Sequence, residues 1–110
     1  MPMKNERLNK LLSFLEKEPN DPFLLYAVAN EHRDSNPLKA KEFYDKLLAE
    51  HENYLATYYH AALLYDGLNE LQKAEEIFKK GIELAGEQND RLALRELNNA
   101  YQNFLFEQSD

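Results

Sequence analysis

The chain has 110 residues, of which 44% are hydrophobic and 30% charged, as in a single globular domain. Its 20 acidic against 13 basic side chains give a formal net charge of -7, which argues against nucleic acids and anionic membranes as partners. The chain lacks cysteine, which excludes disulfides, thiolate nucleophiles and cysteine-ligated metals. Without a signal-peptide core or an apolar run of ~18 residues, we expect a cytoplasmic protein with no nucleic-acid or membrane partner.

Apolar residues recur at helical spacing along nearly the whole chain. The predicted helices span roughly 4–18, 22–33, 37–51, 54–67, 70–85 and 90–107. On the first of them, one apolar face is formed by Leu8, Leu11, Leu12 and Leu15.

Proline, asparagine and aspartate mark the breaks between these helices. The segments 19–22 and 35–37 end one helix and start the next, because proline suits only the first turn of a helix. Asn53 is the expected N-cap of the fourth helix and Asp90 that of the sixth. Asn69 followed by Gln72 resembles a capping box that opens the fifth.

The sequence repeats itself with a shift of 33 to 34 residues. Under this shift, positions 25, 28, 29 and 32 fall on 58, 61, 62 and 65, and the segment 39–44 falls on 73–78. Alanines recur at Ala29, Ala40, Ala62 and Ala74, where small side chains would let paired helices approach closely. A helix-turn-helix period of this length is typical of stacked hairpins. An alternative is that these are ordinary core alanines of another helical bundle.

The pattern resembles the tetratricopeptide repeat. The second unit matches at Tyr58, Ala61, Ala62, Tyr65, Ala74 and Phe78, whereas the first has His32 and Tyr44 at the Tyr and Phe positions. The resemblance implies an all-α fold, a right-handed stack of antiparallel helical hairpins forming an α-solenoid of about six helices. It also implies one domain, 1–110, made of a half repeat or N-terminal cap helix (4–18), two repeats (22–52 and 54–86) and a C-terminal capping helix (90–107).

The resemblance further implies a binding surface. In that family the first helix of each hairpin lines a concave groove that accepts an extended peptide or a partner helix. Carried over by register, the groove residues are Phe23, Tyr26, Asn30, Arg33, Tyr59, Leu63, Asp66, Arg95 and Asn99. We therefore expect an adaptor or scaffold whose partner is a protein or peptide. A plainer interpretation is that Tyr26 and Tyr59 are partly exposed aromatics covering neighbouring side chains.

The last predicted helix offers a second surface. Its apolar stripe consists of Leu94, Leu97, Tyr101 and either Phe104 or Leu105, with Leu92 and Phe106 outside it. A shorter preceding loop would put Leu92 at the large apolar position instead. Apolar residues left over on a capping helix indicate either that the cap folds over further or that it self-associates. Self-association gives an alternative function, a structural homodimer or larger homo-oligomer that assembles through this helix.

The sequence contains no pattern typical of catalysis. The three histidines, His32, His51 and His60, lack the i, i+4 spacing of a helical metal site. Most carboxylates alternate with lysines, as on solvated helix faces. We found neither a glycine-rich phosphate loop nor a nucleophile beside a base. We therefore expect a protein that is not an enzyme and that needs no metal or cofactor.

Overall fold

A computed structural model describes residues 3–109 of the chain, with side chains from residue 6 onwards, so positions 1, 2 and 110 of the expected domain lie outside it. The described residues form six helices and no strand, which confirms the all-α helical repeat fold. The helices are α1 (Met3–Lys17), α2 (Pro22–His32), α3 (Pro37–Glu50), α4 (Ala56–Gly67), α5 (Leu71–Glu87) and α6 (Arg91–Gln108). None of these helices is long and apolar enough to cross a membrane.

Among the described residues, side-chain caps open three helices, α2, α3 and α6. The carboxylate of Asp21 accepts hydrogen bonds from the backbone N–H groups of Phe23 (2.9 Å) and Leu24 (3.3 Å) at the start of α2. Asn36 caps α3 through the N–H of Lys39. Asp90 caps α6 through the N–H of Ala93 at 3.0 Å, so its predicted role is confirmed. In each case the cap satisfies a backbone donor that the first turn leaves without a partner.

The predicted cap of α4 is wrong. The helix begins at Ala56, and Leu55 occupies the N-cap position without a side-chain cap hydrogen bond. Asn53 lies instead in a turn closed by the hydrogen bond from the N–H of Tyr54 to the carbonyl oxygen of His51, at 2.9 Å. Because this turn uses residues 52 and 53, the helix starts later than its apolar pattern predicts.

The predicted capping box at Asn69 is also wrong. Asn69 has a φ of 62°, and α5 begins after Glu70 without a side-chain cap hydrogen bond. The N–H of Asn69 bonds to the carbonyl of Asp66, and that of Glu70 to the carbonyl of Tyr65, both at 2.9 Å. This is a Schellman motif, which closes the C-terminus of α4. Asn89, with a φ of 57°, closes α5 in the same way.

The chain divides into two compact units, Met1–Tyr54 and Leu55–Asp110. In the first, α2 packs against both α1 and α3. The buried apolar residues of α2 and α3 are Leu24, Leu25, Val28, Ala29, Ala40, Tyr44 and Leu47. On α1 the expected apolar face is half-buried except for Leu12, which is exposed. An ion pair of 3.5 Å between Arg7 and Glu31 also joins α1 to α2.

In the second unit, α5 packs against α4 and α6, and α4 and α6 also touch. The buried apolar residues include Tyr58, Ala61, Ala62, Tyr65, Ala74, Ile77, Phe78, Leu97 and Phe104. Both alanines expected at close approaches in this unit, Ala62 and Ala74, have no exposed surface. The packing therefore leaves little room for larger side chains at these positions.

Candidate functional site

An open cleft of about 450 Å³ lies between α4 and α6 in the second unit. Its lining residues are Tyr59, Leu63, Asp66, Glu96, Asn99, Ala100, Asn103, Phe104 and Glu107. Those on α4 recur at i, i+4 and i+7, and those on α6 follow the same helical period, so each helix contributes one continuous face. The volume lies within the range of ordinary ligand pockets, ~300–1,000 Å³, so the cleft can admit side chains of another molecule.

The cleft is lined by both large apolar groups and carboxylates. Tyr59, Leu63 and Phe104 supply its large apolar groups, and Leu63 is 38% exposed. Asp66, Glu96 and Glu107 supply three carboxylates, while no lysine, arginine or histidine is among the lining residues in the part of the chain that the structure describes. The cleft is therefore negatively charged at neutral pH.

An aromatic cluster holds α6 in place beside this cleft. The ring of Phe78 lies 5.6 Å from that of Tyr101 and 5.5 Å from that of Phe104, measured between centroids. The hydroxyl of Tyr101 donates a hydrogen bond of 2.8 Å to Glu75 on α5. Burial, with this hydrogen bond and the charge of Glu75, raises the pKa of Tyr101. These contacts fix the face that α6 turns toward α4.

The same packing settles which residues of α6 form its apolar stripe. Phe104 is buried, whereas Leu105 is 36% exposed, so Phe104 takes the position that the pattern left open. Leu97 is also buried and Leu94 half-buried. Leu92 is 57% exposed, which excludes the shorter register in which it would replace Leu94.

The first unit presents the expected groove residues of α2. Phe23 is 60% exposed, and the half-buried ring of Tyr26 packs edge-on against that of Tyr54, with centroids 5.8 Å apart. Burial, together with Tyr26 and Asp21, raises the pKa of Tyr54. Tyr26 thus does cover a neighbouring side chain, as the plainer interpretation holds, and Phe23 offers the more accessible aromatic surface.

Asn30 has a structural contact in addition to its expected role. Its side-chain oxygen accepts a hydrogen bond from the hydroxyl of Tyr44, which is fully buried. Arg33 is half-buried, and its charge acts on the Tyr44 hydroxyl. The polar groups at this end of α2 therefore help to accommodate a tyrosine where the repeat pattern has phenylalanine.

Four of the nine residues assigned to the groove, Tyr59, Leu63, Asp66 and Asn99, line the α4–α6 cleft. Arg95 is exposed but does not line it. Sequence reasoning missed the contributions of Glu96, Asn103 and Glu107, and of Ala100. Glu96 lies one turn before Asn99, and Asn103 and Glu107 lie one and two turns after it, so extending the face of Asn99 in both directions would have found these three residues.

The described residues contain no group of three or more His, Cys, Asp or Glu side chains placed to hold a metal ion. His32 stacks on the ring of Phe43 with centroids 6.0 Å apart, and the ring of His60 packs against that of Tyr59 at 5.2 Å. These two histidines therefore have packing contacts with aromatic neighbours.

No protein-family model and no curated protein matches this chain. It is similar to the solution NMR structure of a tetratricopeptide repeat domain protein from Salinibacter ruber, with 34% identity and a TM-score of 0.73 over 78% of this chain and 88% of that one. A crystal structure of a tetratricopeptide repeat domain protein from Salinibacter ruber matches with 34% identity and a TM-score of 0.72, over 76% and 96% of the respective chains.

Proposed function

Because this chain belongs to the tetratricopeptide repeat family, we propose that it is a protein-interaction adaptor that binds a peptide segment or helix of a partner protein. The observation that supports this most is the open α4–α6 cleft, with Tyr59 and Leu63 accessible on one wall and a polar rim on the other. An apolar centre with a polar rim is the usual anatomy of a protein interface. The chain acts by non-covalent recognition, without catalysis or a cofactor, in the cytoplasm.

We further propose that each unit presents a binding surface of its own. In the second unit it is the α4–α6 cleft. In the first unit it is the face of α2 that carries Phe23, Tyr26 and Asn30, together with Arg33 at the C-cap of that helix. Phe23 supports this assignment, because its side chain is 60% exposed and leaves much apolar surface in contact with water. Burying that surface against a partner is energetically favourable.

The domain organisation proposed with this function is that of two repeats with flanking helices. The pairs α2–α3 and α4–α5 are the repeats, α1 is the second half of an incomplete repeat, and α6 is a cap. The packing of α1 on α2 and of α6 on α5 supports these roles within the respective units.

Affinity capture from a lysate of the source organism tests the cleft. The test variant is Tyr59→Ala with Leu63→Ala, which removes apolar contacts inside the cleft. The matched control is Leu92→Ala with Phe106→Ala, which removes exposed apolar side chains that do not line it. We expect a partner protein to be retained by the parent and by the control variant but not by the cleft variant. Circular dichroism should show that all three chains are folded. Equal recovery by all three would place the binding site elsewhere.

A second candidate function is a structural homo-oligomer that assembles through α6. The observation that favours it is the exposure of Phe106, 80%, beside Leu105 near the end of the helix. Light scattering across a concentration series tests this candidate. The expected result is that the parent is a dimer and that the Leu92→Ala, Phe106→Ala variant is a monomer. A monomer at high micromolar concentration would contradict this candidate and leave the adaptor proposal intact.

A further inference from the structure

We infer that the segment bound in the α4–α6 cleft is positively charged, with lysine or arginine side chains on either side of a bulky apolar residue. This inference rests on the function proposed above and adds the chemistry of the partner. It comes from how charged and apolar groups are arranged along the cleft.

Two of the three cleft carboxylates lie at the ends of the cleft face of α6. Glu96 and Glu107 are separated by eleven positions, so they are ~16 Å apart along the helix axis. Ala100 and Phe104 lie between them on the same face and supply its apolar surface. An extended segment covers this distance in roughly five residues. Side chains on one face of an extended segment recur at every second residue. The spacing therefore fits a segment with two basic side chains about four to six residues apart on one face and an apolar side chain between them.

No group in the cleft neutralises these charges. Among the described residues, Asp66, Glu96 and Glu107 form no ion pair, and no basic side chain lines the cleft. A basic segment therefore gains favourable interactions with all three carboxylates, whereas an acidic segment or a C-terminal carboxylate meets like charge. The formal net charge of -7 adds a long-range attraction for basic partners.

The proposal is tested with three fluorescein-labelled peptides that share a Leu-Leu centre. They differ only at two positions six residues apart, which hold Lys in one peptide, Gln in the second and Glu in the third. Fluorescence anisotropy measures each affinity at low and high salt, and amide chemical-shift changes locate the bound peptide. We expect the Lys peptide to bind about tenfold more tightly than the Gln peptide, with the preference reduced at high salt. The largest shifts should fall at Leu63, Asn99 and Asn103.

Charge-reversal variants separate the cleft from the general acidity of the protein. Glu96→Lys with Glu107→Lys alters the cleft, and Glu83→Lys with Glu87→Lys makes the same change in net charge at exposed sites that do not line it. We expect the first pair to weaken binding of the Lys peptide about tenfold and the second to weaken it much less.

Three results would overturn the inference: equal binding of the Lys and Gln peptides, equal losses in the two variants, or no binding of any peptide. Equal binding at the cleft would remove only the charge preference and leave the adaptor function standing. The adaptor function fails separately, in the capture experiment, because the Tyr59→Ala, Leu63→Ala variant changes no charge.

Discussion

Gly81 on α5 lies so close to Tyr58 on α4 that a Cβ atom at position 81 would be 2.7 Å from the Tyr58 Cβ. It would also lie 3.3 Å from a methyl carbon of Leu97. Carbon atoms in favourable contact are about 3.5–4.0 Å apart, so the two helices can pack at this distance only because residue 81 has no side chain. The contact joins all three helices of the second unit.

Replacing Gly81 should therefore destabilise the protein. Alanine in a helix interior normally gains about 1 kcal/mol over glycine, but here overpacking should reverse the sign, so that Gly81→Ala lowers the free energy of unfolding by about 1–3 kcal/mol. Gly86→Ala is the matched control on the same helix, because a Cβ there would meet no atom within 4 Å. Urea denaturation should show the control equal to or more stable than the parent. A more stable Gly81→Ala variant would contradict the packing.

Thr57 is fully buried, and its hydroxyl oxygen has no hydrogen-bond partner among the described residues. A buried polar group without a partner is costly, so Thr57→Val should raise the free energy of unfolding by about 1 kcal/mol. Thr57→Ser keeps the hydroxyl and removes a methyl group, so it should lower stability by about 1 kcal/mol. If both variants are destabilised in urea denaturation, the hydroxyl makes a favourable interaction after all.

The hydrogen bond from Tyr44 to Asn30 predicts a specific response to alkaline pH. Burial raises the pKa of Tyr44 above its ordinary value of 10.0; nearby Tyr26 and Asp34 act in the same direction and Arg33 opposes them. Below pH 10 the protonated hydroxyl contributes fully to stability. Above pH 10, Tyr44 loses its hydroxyl proton in the unfolded chain but retains it in the folded chain. The contribution of Tyr44 to stability therefore falls as pH rises.

The Tyr44→Phe variant isolates the contribution of the Tyr44 hydroxyl to stability. Tyr54 and Tyr101 are present in both the parent and the variant, so their effects cancel in the comparison. We expect the variant to be about 1 kcal/mol less stable than the parent at pH 8. Between pH 9 and pH 11 the parent should lose stability faster, so that the difference narrows. Urea denaturation at several pH values provides the measurement, and parallel pH profiles would contradict the prediction.

Asn69 should behave as the left-handed residue that closes the C-terminus of α4 rather than as the N-cap of α5. Its positive φ is unfavourable for most side chains, so Asn69→Ala should cost about 1–2 kcal/mol, whereas Asn69→Gly should be neutral or stabilising. Gln72→Ala is the control, because only a capping box would make Gln72 contribute. Thermal unfolding should show no loss in that control. Equal losses of stability in the Asn69→Ala and Gln72→Ala variants would instead support a capping box at these two residues.

The helices could be predicted because their signals are local. Asp21 and Asp90 cap the helices that follow them, and the alanines of the repeat are buried as expected. Asn69 was misassigned because asparagine suits both an N-cap and the left-handed C-terminal position. Only three residues separate α4 from α5, so the sequence pattern fits both roles. Hydrogen bonds of the folded backbone decide between them.

The cleft could be predicted on its α4 side, but on α6 Asn99 alone among its lining residues was predicted. The repeat register assigns Tyr59, Leu63 and Asp66 to an exposed face, but it says little about α6, whose preceding loop differs in length. Glu96 and Glu107 look like ordinary solvated carboxylates in the sequence. Their shared site depends on the tertiary packing that turns this face of α6 toward α4.

Site-specific photo-cross-linking tests the central claim, that the α4–α6 cleft binds a partner protein, most directly. A photo-reactive amino acid is placed at Asn103, which lines the cleft, or at Gln102, its exposed neighbour outside the lining. After irradiation in lysate, mass spectrometry identifies any attached protein. We predict that one partner becomes attached through position 103 and that position 102 gives little or none. Equal attachment through both positions, or attachment through position 102 alone, would contradict the account.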